Sequence, residues 1–102
     1  MHNMVYLLGR LTSNIEIEEK DDKRIASVKL AVPRNFKNEN GEYDTDFIEC
    51  LLYTGIAENT VKYCKNGDLV GIKGRLQNEE NTIKVIAEKV SFLQSKSKES
   101  ED

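Results

Sequence analysis

Only one stretch of this chain repeats its apolar residues at helical spacing, and the segments around it read as strands. In Ile56–Lys65, the residues Ala57, Val61 and Cys64, with Ile56 and Thr60, fall three or four positions apart and form one apolar stripe. Asn66-Gly67 follows, where glycine supplies the left-handed stop that ends many helices. One short helix set among strands points to an all-β domain.

The strands are read from alternation and from turn chemistry. Met4–Leu11 (MVYLLGRL) is an apolar run interrupted by Gly9, which predicts a strand with a bend or bulge. The polar segment Thr12–Arg24 carries five acids between Glu16 and Asp22 that repel one another, so a loop or mobile hairpin is expected there. Ile25–Val32 alternates as a half-buried strand does, and Pro33 limits further pairing. Asn38-Glu39-Asn40-Gly41 is a turn within the loop-like stretch Asn35–Asp46. Phe47–Tyr53 is a third strand, with Phe47, Glu49, Leu51 and Tyr53 on one face and Ile48, Cys50 and Leu52 on the other. Asp68–Asn78 is a fourth, and its interior Gly71 and Gly74 suggest the tight bends of a small closed barrel. After a turn at Glu79–Asn81, Thr82–Leu93 is a fifth. Five strands with one helix between the third and fourth is the order of an OB-fold. That fold is a five-stranded Greek-key barrel which often binds oligonucleotides across its second and third strands. The expected division is a barrel over residues 1–93 and a short disordered polar tail over 94–102.

Size and charge narrow the function without fixing it. A chain of 102 residues is one domain, small enough that association with further copies would help it persist. No apolar run reaches the roughly 18–20 residues of a membrane helix, and no basic segment precedes the first apolar run as in a signal peptide. Cys50 and Cys64 make no CxxC pattern and read as buried reduced thiols, which fits the cytoplasm. The net charge of −3 opposes binding to phosphates, but the charges are segregated. Acids gather in Glu16–Asp22, Glu39–Asp46 and Glu99–Asp102. Cations gather at Lys29, Arg34 and Lys37, and again at Lys73 and Arg75.

Catalysis has no candidate set. The single histidine is His2, no Cys/His/Asp group has zinc-ligand spacing, and Gly71-Ile72-Lys73-Gly74 lacks the phosphate-loop pattern. Neither an enzyme nor a cofactor or metal is expected. What the sequence does carry is aromatics beside cations. Phe47 and Tyr53 share a strand face and lie ~20 Å apart, and Ile48, Cys50 and Leu52 already supply the inner apolar row. Both are therefore expected to face outward, where bases could stack on them. Phe36 sits between Arg34 and Lys37, while Lys73 and Arg75 share the parity of one strand face. Arg10 suits either the groove or an ion pair with an acid.

Ordered blocks across the chain resemble the bacterial single-stranded DNA-binding protein family. They are Leu7-Leu8-Gly9-Arg10-Leu11-Thr12, Leu30-Ala31-Val32, Arg34 with Phe36, Gly41-Glu42, Asp46-Phe47-Ile48 with Cys50, Ala57-Glu58-Asn59, and Gly67 leading into Gly74-Arg75-Leu76. The phrase Ala57-Glu58-Asn59-Thr60 with Tyr63-Cys64 resembles the short paralogues of Gram-positive bacteria. The resemblance implies sequence-independent binding of single-stranded DNA in replication, recombination, repair or DNA uptake. It also implies a homo-oligomer, a tetramer with a dimer as the alternative, and stacking aromatics at Phe36, Phe47 and Tyr53. With Arg10, Arg34, Lys37, Lys73 and Arg75 these make the expected DNA-binding set. Three departures stand out. The link between the last two strands, Gln77–Asn81, is short. Glu49 stands between the aromatics, where its carboxylate would repel phosphate. The chain ends in acids without the family's hydrophobic recruiting tip, which puts contacts with replication or recombination proteins in doubt. A second reading is a primosomal adaptor resembling replication protein B, working mainly through protein contacts.

Overall fold

Two rows of alternate side chains, Ala26, Val28 and Leu30 on one strand and Cys50 and Leu52 on the next, face the same core and are fully buried. They belong to a computed structural model that describes residues 1–95. Its elements are β1 (Val5–Leu11), β2 (Ile17–Lys20), β3 (Lys23–Lys37), β4 (Tyr43–Tyr53), α1 (Thr54–Tyr63), β5 (Leu69–Glu79) and β6 (Thr82–Gln94). β3 pairs antiparallel with β4, β5 with β6, and β1 with β5. Two short seams close the ring. β4 runs parallel to β6 at Cys50↔Val85 and Leu51↔Ile86, and β1 meets β3 at Arg10↔Ala31 and Leu11↔Leu30. The order β1-β3-β4-β6-β5 and back to β1 is a closed five-stranded barrel with the helix between β4 and β5, the expected OB-fold.

The core is aliphatic and small: Leu11, Val70, Ile72, Val85 and Ala87 complete the two rows, and Ala57 and Cys64 plug one end from the helix side. Burial pushes the Cys50 thiol up to about 12 and the Cys64 thiol up to about 11, so both remain protonated at neutral pH. The helical stripe holds at Ala57, Thr60 and Cys64, whereas Val61 is exposed. The helix itself starts and ends two residues earlier than the apolar period suggests, at Thr54 and Tyr63.

The acid-rich segment between the first two expected strands, read as a loop or hairpin, forms the hairpin: it contains β2, which pairs with β3 through Ile17↔Ala26 to Lys20↔Lys23. Its acids point to solvent, where their repulsion is screened, and Arg24 lies 2.8 Å from Glu58 and 3.8 Å from Glu19. Strand β3 also runs through Pro33, which pairs with Thr45, and only Asn38–Glu42 remains as a turn. Among the described residues β3 has β4 as its sole partner beyond the barrel, so the missing amide proton of Pro33 costs no second ladder bond there. The glycines also serve close approach, and the register of the β5–β6 ladder shifts between Lys73 and Gly74 as at a bulge. A Cβ on Gly74 would strike the carbonyl of Ile86, and one on Gly9 the carbonyl of Ala31 at the β1–β3 seam. Lastly, Gln94, assigned to the tail, ends β6, and residues 96–102 of that tail lie outside the described residues.

Candidate nucleic-acid interface

The barrel wall formed by β3, β4 and β6 has an outer face whose side chains follow from strand parity. Across β3 and β4 the outward pairs are Ala31↔Phe47, Lys29↔Glu49, Ser27↔Leu51 and Ile25↔Tyr53. The parallel seam that sets Leu51 beside Ile86 also sets Glu49 beside Lys84. Leu51 and Ile86 are buried although they face outward, and neither belongs to the core cluster. Phe47 is 61% exposed, as its parity predicts, and Tyr53 is half-buried. Tyr53 stands at the sharp turn into α1, where Thr54 takes a φ of 40°, a conformation that costs a β-branched residue energy and fixes the direction of the chain.

Two hairpins rise beside this face and make it a groove. One wall is the β2–β3 hairpin with Glu16, Glu18 and Lys20; the other is the β5–β6 hairpin with Glu79, Glu80 and Lys84. Ser27, Glu49, Leu51 and Tyr53 form the floor. Both hairpin tips are two-residue turns with positive φ, at Asp21-Asp22 and Glu80-Asn81, a geometry whose twist suits antiparallel strands. The tips approach each other, with Lys20 Nζ 3.6 Å from Glu80 Oε1. A smaller hollow continues past Tyr53, lined by Lys23, Thr54, Arg75 and Gln77.

The structure separates the expected binding residues into three places. Phe47 and Tyr53 share the outward row of β4, although only Tyr53 of the two lines the groove, and Arg75 adjoins Tyr53 while its guanidinium reaches Glu88 at 3.2 Å and Gln77 at 3.2 Å. Arg34, Phe36 and Lys37 lie on the extension of β3 and β4 beyond the barrel. There Phe36 is 65% exposed, Lys37 Nζ lies 5.9 Å from the Tyr43 ring centre, and Arg34 is forked onto Asp46 at 2.9 and 3.1 Å. That fork holds the Asp46 carboxyl below its usual range and raises the pKa of Arg34, which stays fully charged. Lys73 faces outward on β5 between Tyr6 and Lys89, away from the groove lining. Arg10 donates from Nη1 to the carbonyl of Gly67 at 2.9 Å, a bond that ties β1 to the loop before β5.

Glu49 is not the bare carboxylate the sequence suggests. Ser27 Oγ donates to Glu49 Oε2 at 2.8 Å and Lys84 Nζ stands 3.4 Å from the same oxygen. The Ser27 hydroxyl holds the carboxyl below its ordinary range against the opposing effect of burial, and Lys84 and Lys29 add to this. Lys84, Ser27 and Lys20 are site residues that sequence reasoning missed. They enter through pairing with distant strands, and only the register reveals them. Among the described residues no group of three or more His, Cys, Asp or Glu side chains is placed to hold a metal ion. No helix among them is long and apolar enough to cross a membrane.

The chain resembles known proteins over nearly its full length. A model of the single-strand binding protein family matches residues 2–93. The chain is 40% identical over 109 residues to single-stranded DNA-binding protein B of Bacillus subtilis, covering 97% of this chain and 96% of that one. It is 40% identical over 106 residues to single-stranded DNA-binding protein 3 of Streptococcus agalactiae, covering 94% and 77% respectively. Among solved structures, a deletion mutant of the single-stranded DNA binding protein from Thermus aquaticus superposes with a TM-score of 0.73 at 22% identity. The match covers 94% of this chain and 52% of that one, about half its length, and supports the fold. These relatives carry the names of DNA-binding proteins, which leaves the primosomal adaptor without support. With this order of strands, this groove and these matches, the chain belongs to the single-strand binding protein family.

Proposed function

We propose that this protein coats single-stranded DNA without sequence preference. Bases stack on Phe47 and Tyr53 along β4 and on Phe36 beyond the barrel. Phosphates are met by the surrounding cations, of which Arg34, Lys37 and Arg75 adjoin the aromatics and Arg10 and Lys73 are more distant. The observation that carries this reading is Phe47, a large aromatic left 61% exposed on a strand whose inner row already fills the core. Stacking suits a binder without preference, because every base offers a π-face, and it contributes about 1–3 kcal/mol per base. No bond is made or broken in such a task, so the reading is of a binding protein and not an enzyme. The protein is then a cytoplasmic one serving replication, recombination, repair or DNA uptake, in keeping with two buried reduced thiols.

Assembly belongs to the same reading. Met4, just before β1, and Tyr6 and Leu8 on it form an exposed apolar stripe, and among the described residues no strand pairs with the second edge of Val5–Leu8. An open apolar edge of this kind is suited to pairing with its own copy across a two-fold axis. We take the assembly to be a symmetric homo-oligomer, a tetramer by resemblance.

Fluorescence anisotropy with labelled oligothymidine at two salt concentrations tests the binding. Tight binding that weakens with salt, with little change for a mixed-sequence strand and a clear preference over duplex, is expected. Phe47→Ala is expected to lose about 1–3 kcal/mol of binding with the melting temperature nearly unchanged. A stronger affinity for duplex, or a Phe47→Ala variant that melts early yet binds normally, would contradict the proposal.

A further inference from the structure

The outer face carries one row of charge between its two stacking aromatics. Lys29, Glu49 and Lys84 stand side by side on β3, β4 and β6, one outward position from Phe47 and two from Tyr53. A strand of DNA lying on both aromatics must carry its backbone across this row. Read along β4 alone, the row is a carboxylate that repels phosphate. Read across the sheet, it holds two cations and one anion, a net positive charge.

We propose that Lys84 is a phosphate-binding residue of the groove and that Glu49 is the positioning residue that holds it there; the inference rests on the DNA-binding reading above. Lysine is a flexible side chain with three donor hydrogens, and its four-carbon stem ordinarily leaves the ammonium free to wander in solvent. Here the ammonium lies 3.4 Å from Glu49 Oε2, with only 22% of the side chain exposed. Ser27 fixes the carboxylate from the opposite side at 2.8 Å. One ammonium hydrogen turned to Glu49 leaves two for a phosphate at the groove floor. Glu49 stays ionised throughout the neutral range, so it keeps this hold on Lys84. The carboxylate also opposes the phosphate, so the hold limits affinity as it fixes the contact.

Three variants tested against labelled oligothymidine across a salt series decide the matter. Lys84→Gln is expected to weaken binding about three- to tenfold at low salt. It should also flatten the slope of log affinity against log salt by about 0.7, the value for one phosphate contact on a single strand. Glu49→Gln is expected to tighten binding at low salt while keeping the wild-type slope, since the cation remains. Glu49→Lys combined with Lys84→Glu rebuilds the pair with the cation on β4. It is expected to restore the slope and to come within about twofold of wild-type affinity. A merely structural pair would alter melting temperature and leave the slope alone. If folded Lys84→Gln matches the wild type in affinity and slope, or if the folded exchange variant binds no better than Lys84→Gln, the inference is overturned. A wild-type chain without salt-dependent binding to oligothymidine would instead overturn the DNA-binding reading itself, and this inference with it.

Discussion

Gly74 and Gly71 lie three residues apart on β5 and meet different kinds of neighbour. Opposite Gly74 is the backbone carbonyl of Ile86, which the β5–β6 ladder holds in place; opposite Gly71 is the hydroxyl end of Tyr6, an exposed side chain that can swing aside. Gly74→Ala is therefore expected to cost about 1–3 kcal/mol through overpacking against backbone. For a domain near 100 residues each kcal/mol lowers the melting temperature by roughly 4–8 °C. Gly71→Ala is expected to stay within about 0.5 kcal/mol of wild type. Thermal unfolding followed by circular dichroism checks both, and equal losses in the two variants would refute the distinction. Sequence shows that these glycines sit inside a strand, but the reason depends on which atom lies across from each one. Parity on β4 was legible because a period of two needs no knowledge of neighbours: Phe47 faces out and Cys50 and Leu52 face in, as alternation requires. The setting of Glu49 was not legible, since Ser27 and Lys84 reach it from strands far away in sequence.

At the scale of elements, each strand of the barrel was recognisable, and its ends fell within one residue except at both ends of β3 and the start of β4. Alternation fails as a guide once a strand leaves the barrel, because neither of its faces then meets a core. That is why β3 and β4 run on to Lys37 and start at Tyr43, in a stretch that reads as loop. Strand β2 was hidden for a related reason: Ile17 is its one apolar residue, and its pairing comes from the β3 hairpin rather than from burial. β1 presents the opposite case, a strand with more apolar surface than the monomer uses. Its stripe of Met4, Tyr6 and Leu8 predicts that Leu8→Lys shifts the assembly to a smaller mass by light scattering while circular dichroism stays that of the wild type. A monomer mass for the wild type at micromolar concentration would remove the basis for that expectation.

For the molecule as a whole, the order of strands was legible and the closure was not, since closure rests on pairings between residues some twenty and thirty-five positions apart. Those pairings divide the barrel into two plates, β2–β3–β4 and β1–β5–β6, each internally laddered over long stretches and joined to the other by two short seams. Native proteins open first where the ladder is thinnest. Amides at Leu51 and Ile86 are therefore expected to exchange with deuterium through a partial parting of the plates, faster than amides at Val28 and Ile72 within them. The groove is lined from both plates, by Glu49 and Tyr53 on one and by Lys84 and Glu79 on the other. A ligand bound there must oppose the parting, because it binds the closed form alone. Saturating oligothymidine is thus expected to slow exchange at the seam more than within either plate, and a uniform slowing would argue against plates that part. If DNA lies in the groove as proposed, the barrel's least secure joint lies beneath it, and occupancy itself would rivet the two halves together.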